Sequence, residues 1–137
     1  MKAETVIKRA LQKILVQAPE SPLEADEYRD AITELNLMMA EFESKNIDLG
    51  YTPIDSIGDD VTVVDGVLSG IIANLAIRMA GGDFGGIVSP ELYKEARDGM
   101  TTIRLVGAAD FVTPFPATLP IGSGNEKWSY DEFYSGE

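Results

Sequence analysis

Apolar residues recur at helical spacing in four separate stretches of this chain. In the first, Ile7, Ala10, Leu11, Ile14 and Leu15 fall at i, i+3 and i+4. They draw one stripe along a helix from about Thr5 to Gln17, which Pro19 and Pro22 stop. The second stripe is Tyr28, Ala31, Ile32, Leu35, Met38, Met39 and Phe42, ending near Glu43. Ser21-Pro22-Leu23-Glu24 supplies its start, with an N-cap, a first-turn proline and a capping-box acid. The third runs from about Asp65 to Ala80, with Val67, Leu68, Ile71, Ile72, Leu75, Ala76 and Met79 forming a wide apolar face. Ser69, Gly70 and Ala73 keep another face of it small, so a second helix can approach closely, and this helix is expected to be central and buried. Gly81 and Gly82 are expected to end it in the left-handed conformation. The fourth opens on Ser89 with Pro90 as its first residue and carries Leu92, Ala96, Met100 and Ile103 to about Val106. Gly99 inside it costs roughly 1 kcal/mol relative to Ala, which points to a close contact there.

Two stretches break this rhythm. Residues 46–64 contain Gly50, Pro53 and Gly58 among loosely alternating β-branched and aromatic residues, and read as a long ordered loop or a short extended hairpin. A connection of that length in a small domain is usually functional. Residues 113–137 contain Pro114, Pro116 and Pro120, which lack the amide donor of a helix or central strand, and Gly122 and Gly124 loosen the backbone further. The same segment holds Phe115, Leu119, Ile121, Trp128, Tyr130, Phe133 and Tyr134. A solvated tail is usually poor in aromatics. The fold class expected is therefore all-α: a bundle of about four helices over residues 1–112, a long loop after helix 2, and an extended C-terminal arm over residues 113–137. Fully extended, the arm reaches about 80 Å.

Composition narrows the chemistry. The chain has 137 residues, enough for one domain with a real core. It has no Cys, which excludes disulfides and thiolate metal sites, and no His, which removes Ser–His and Cys–His nucleophile systems. No apolar run reaches transmembrane length, and the charged amphipathic start does not read as a signal peptide. The net charge of −12 disfavours attraction to nucleic acid. That charge is uneven. Residues 1–17 carry Lys2, Lys8, Arg9 and Lys13 against Glu4, whereas residues 18–60 carry twelve acids against Arg29 and Lys45. Solvated faces account for this; so does a contact between neighbouring copies, basic helix to acidic helix. The candidate charges for such a contact are Lys8, Arg9 and Lys13 with Glu27, Asp30 and Glu34.

The remaining candidates read mostly as structure. Gly81-Gly82-Asp83-Phe84-Gly85-Gly86 lacks the Lys of a phosphate-binding loop, and Asp83 repels phosphate, so it reads as a helix terminator. Asp59 with Asp60, or Glu41 with Glu43, are the acid pairs available for glycoside cleavage, but no apolar pocket is evident to raise one of them. Asn74 on the buried helix is expected to satisfy a hydrogen bond. Arg78 and Arg104 are expected either to meet acids across a subunit boundary or to be solvated. No catalytic, cofactor or metal residue is assigned.

Four stretches carry a resemblance to a known family. They are Leu37-Met38-Met39-Ala40-Glu41-Phe42 with Gly50-Tyr51; Asn74-Leu75-Ala76-Ile77-Arg78-Met79-Ala80; Thr113-Pro114-Phe115-Pro116; and Leu119-Pro120-Ile121-Gly122-Ser123-Gly124-Asn125. In order and spacing the chain resembles the head-to-tail adaptor of short-tailed phages, also called the tail accessory factor or packaged-DNA stabilisation protein. The resemblance implies a non-enzymatic helical adaptor, with no cofactor, that binds beneath a portal protein at the head–tail junction of the virion after assembly in the host cytoplasm. It implies a homo-dodecameric ring that retains DNA, lets it pass without sequence-specific binding, docks a tail nozzle or hub protein, and needs no membrane. Carried onto this chain, Pro114, Phe115, Pro116, Leu119, Pro120, Ile121, Gly122, Ser123, Gly124 and Asn125 are the portal-binding arm. Trp128, Tyr130, Phe133 and Tyr134 are candidate partner anchors, because aromatics dominate interface hot spots. Two rival readings stand beside this one: a cell-wall hydrolase using Glu41 or Asp60, and an acidic module that binds a host protein through its aromatic tail.

Overall fold

The computed structural model describes residues 1–14, 24–82 and 84–108, and over these it is all-α. Four helices form: α1 (Ala3–Lys13), α2 (Ala25–Ser44), α3 (Leu68–Ala80) and α4 (Pro90–Gly107), with one 3₁₀ turn, Asp65–Val67, leading into α3. No strand forms among the described residues; the 46–64 segment is a loop, pinned by isolated antiparallel bridges between Lys2 and Asp60 and between Ile47 and Ala108. Leu15, Gln17, Pro19, Ser21, Pro22, Asp83 and residues 113–137, to which the sequence pattern assigned roles, lie outside the described residues.

α3 is the central helix, in contact with α1, α2 and α4. Its apolar face buries Leu68, Ile71, Ile72, Leu75, Ala76 and Met79, as the periodicity requires. α1 adds Val6, Ile7, Ala10 and Leu11, each with no exposure. Burial of a side chain such as Ile7 or Leu11 is worth roughly 1.5–3 kcal/mol.

The small face of α3 has a specific use. A Cβ placed on Gly70 would stand 2.8 Å from the Gly99 Cα, so two backbones touch where α3 crosses α4. The Asn74 amide spans that crossing, donating to Gly70 O at 2.8 Å and to Ala96 O at 3.0 Å. The half-buried amide nitrogen is thus satisfied, and its two bonds tie the two helices in register.

α1 ends at Lys13 rather than near Gln17, and α3 begins at Leu68, after the 3₁₀ turn, rather than at Asp65. Three other helix ends differ from the expected ones for a local reason. α1 begins two residues early because loop carbonyls take its free amides: Ala3 N donates to Asp59 O at 2.9 Å and Glu4 N to Ile57 O at 3.1 Å. α2 begins at Ala25, capped by Glu24 rather than Ser21. Glu24 and Glu27 form a reciprocal capping box, with Glu24 N donating to Glu27 Oε2 at 3.0 Å. Gly81 is right-handed, with φ −80°, because Gly81 N reaches Ile77 O and Gly82 N reaches Met79 O without any change of hand. The left-handed positions come later, at Gly85 and Gly86. α4 starts where its sequence says, with Ser89 Oγ accepting from Leu92 N at 3.2 Å.

Candidate functional site

The polar groups that look chemical in sequence are engaged in fastening the body. Glu34 and Glu41 lie two turns apart on α2, and Arg78 of α3 reaches both. Its Nε meets Glu34 Oε2 at 2.7 Å, and its Nη1 meets Glu41 Oε2 at 2.8 Å. Lys45 bonds the other Glu41 oxygen. The hydrogen bonds from Lys45, and then from Arg78, hold the Glu41 carboxyl below its usual range. The hydrogen bond that Arg78 donates to Glu34, with the one it donates to Glu41, pushes its guanidinium further up. Arg78 therefore pairs inside its own chain.

This arrangement is the reverse of what a general acid requires, since such a group needs its pKa raised. Asp60, the other candidate acid, is ion-paired to Lys2 at 3.0 Å on the surface. Asp59 turns its carboxylate onto the amides of Asp55 and Ser56, at 3.2 Å and 2.9 Å, and so shapes the loop. Among the described residues no group of three or more His, Cys, Asp or Glu is placed to hold a metal ion, and no helix is long and apolar enough to cross a membrane.

A second fastening lies between α2 and the long loop, and nothing in the sequence pattern singles it out. Asn36 donates to Ile54 O at 2.8 Å, while its Oδ1 accepts from Ile54 N at 3.2 Å and from the Tyr51 hydroxyl at 2.6 Å. Burial pushes the Tyr51 phenol up to about 12. Ile47, Leu49, Ile54 and Val61 of the loop are buried against the helices. The loop is therefore part of the body. The only hint in sequence is an Asn at the edge of an apolar stripe, which reads equally well as solvated.

Of the six candidate inter-subunit charges, three have partners within the chain. Lys13 meets Glu95 of α4 at 2.6 Å, Glu34 meets Arg78, and Glu27 closes the capping box. Lys8 and Arg9 stand on α1 and Asp30 on α2, with no ion pair among the described residues. The arm residues Pro114, Phe115, Pro116, Leu119, Pro120, Ile121, Gly122, Ser123, Gly124 and Asn125, and the anchors Trp128, Tyr130, Phe133 and Tyr134, lie outside the described residues.

What the geometry defines is a helical body whose polar groups clamp its own elements. A protein-family model described as P22 tail accessory factor matches residues 1–137, and the chain belongs to that family. Membership gives it a general role in head–tail assembly and a place in the head–tail region of the virion. No curated protein sequence matches the chain.

Proposed function

We propose that this protein is a head-completion adaptor, a non-enzymatic part of the virion that forms a ring beneath the portal protein. The ring retains packaged DNA and offers a docking surface to a tail nozzle or hub protein. Twelve copies follow from the family resemblance. Residues 1–112 act as the body and residues 113–137 as the arm, with Pro114 to Asn125 laid against the portal. Trp128, Tyr130, Phe133 and Tyr134 add anchors for a partner. An arm of this kind converts a modest body contact into a durable one by raising the effective concentration of each contact once the other has formed.

The observation that carries the reading is the family match across the whole chain. The body supports it in two ways. Glu41, Asp59 and Asp60 are committed to ion pairs and loop amides, which counts against the hydrolase reading. The net charge of −12 suits a channel that DNA must leave during ejection, because an acidic lining does not grip phosphate.

The test is the mass of the protein alone and mixed with its portal. A portal complex heavier by about twelve copies of the chain is the expected result. A mixture in which portal and protein migrate separately contradicts it.

A further inference from the structure

We infer that neighbouring copies meet through the outward face of α4 on one copy and the outward face of α2 on the next, with the two helices running parallel. This rests on the ring reading and names the surfaces that reading leaves open.

α4 packs on α3 and the 3₁₀ turn before it, and its Lys94, Arg97, Asp98, Thr101, Arg104 and Leu105 are exposed. Leu105, 77% exposed, is the most exposed large apolar side chain among the described residues, and Tyr93 on the same helix is 58% exposed. The far side of α2 carries Leu37, 50% exposed. Each helix thus presents an apolar residue on a face that nothing among the described residues covers.

The charges around these residues are complementary. At about 100° per residue, Lys94, Thr101 and Leu105 line the centre of the outward face of α4. Arg97 and Arg104 fall on one flank, Glu91 and Asp98 on the other. On α2, Asp26, Thr33 and Leu37 form the centre; Asp30 and Glu27 fall on one flank, Arg29 on the other. The acidic flank of α2 is the one reached by continuing in the sense of chain advance, and the basic flank of α4 is the opposite one. When two helices face each other in parallel, unlike flanks meet. With Leu37 level with Leu105, Arg97 then faces Asp30 and Arg29 faces Asp98, each pair within about 2 Å along the axis. Antiparallel packing joins like flanks, placing Arg97 and Arg104 against Arg29 and Asp98 against Asp30. Charge therefore selects the parallel arrangement.

The spacing agrees. With Leu37 level with Leu105, Asp30 lies about 10 Å down its helix and Arg97 about 12 Å down its own, from the helical rise. Lys94 and Asp26 are then also level, since each stands eleven residues before its leucine. Lys94, Arg97 and Arg104 make no ion pair among the described residues. Lys13 is held by Glu95 at 2.6 Å, whereas Arg29 and Asp26 share a 3.5 Å pair between two largely exposed side chains, which a neighbouring copy can take over. The two faces differ, so the contact is heterologous and closes only as a ring or extends as a filament.

The chain has no Cys, so the thiols this protein carries in the test are the introduced ones. In virions carrying L37C and L105C in this protein, mild oxidation is expected to yield a ladder of covalent multimers, while virions carrying either substitution alone yield monomer. T33C with T101C, one turn down both helices, is the second pair should the first disturb assembly. In the thiol-pair background R97E is expected to cut the ladder at least tenfold, and D30R added to R97E to restore it. An amine-reactive cross-linker applied to the same virions separates the two claims. If it joins copies of the chain while both thiol pairs give only monomer, the ring stands and the face assignment is overturned. If it joins none, the ring reading falls and the face assignment falls with it. Disulfide dimers from L37C alone indicate a two-fold contact and also overturn it.

Discussion

Between α3 and α4, two glycines let backbone meet backbone. Between α2 and the 46–64 loop, one amide side chain holds a strand-less segment in place. At the first contact the deciding feature is the absence of atoms: Gly70 and Gly99 leave room for a crossing that no Cβ fits. At the second it is the presence of a group with both a donor and an acceptor, Asn36, whose three bonds reach Tyr51 and both backbone atoms of Ile54. The first contact cannot yield, because its neighbour is main chain. The second can relax, because loop and water can rearrange. One region therefore tolerates no enlargement, and the other tolerates no loss of polarity.

Gly70→Val strikes the first contact hardest. Its Cβ meets the Gly99 backbone at 2.8 Å, and a loss of about 3 kcal/mol in unfolding free energy is expected by denaturant titration. A wild-type midpoint would show that α3 and α4 can part at no cost. Asn36→Ala strikes the second. It strips partners from the Tyr51 hydroxyl and the Ile54 amide and is expected to cost about 2 kcal/mol. Amide exchange should speed up around Ile54 while the α3–α4 crossing stays protected. Equal loss of protection at both contacts would mean that they do not act separately.

Alkaline titration probes the loop contact more finely. Burial lifts the Tyr51 phenol from 10 to about 12. A raised value means that the native state holds this proton more tightly than the unfolded chain. Its contribution is intact below pH 10 and is lost as pH rises towards 12. Tyr51→Phe is expected to flatten the fall in stability over that interval, and phenolate absorbance should show one tyrosine fewer titrating late. The smallest effect is expected at the Glu34–Arg78–Glu41 cluster. The Glu41 carboxyl is held low, so its contribution is present above the ordinary carboxylate range and lost as pH falls through its lowered value. Arg78→Met should weaken that acid dependence, with Lys45 still holding the carboxyl low, and change melting little at neutral pH, because half-exposed pairs are screened by solvent and salt.

Some of this was legible in the sequence. The stripes of α2, α3 and α4 gave their cores, and Gly99 inside α4 pointed to the close crossing, because helical periodicity and glycine placement are local signals. Ser89-Pro90 marked the start of α4 because the cap bond spans three residues. The start of α1 was not legible, since its amides are closed by carbonyls of Ile57 and Asp59, more than fifty residues away. Ser21 was a reasonable cap for α2 by residue preference, but Glu24 with Glu27 closes a reciprocal pair that preference alone does not rank. The role of the 46–64 loop was open for the same reason as α1: its anchors, Asn36 and Met1 O, lie on other elements. At the candidate site, the acids looked free because sequence does not show Arg78 crossing from α3 to α2.

The comparison extends to the proposed division between body and arm, and one measurement tests it most directly: portal binding by the chain with residues 113–137 removed, set beside the full chain. The truncated protein is expected to keep its helical circular dichroism and cooperative melting yet no longer co-migrate with portal. A truncated protein that binds portal as tightly as the full chain contradicts it.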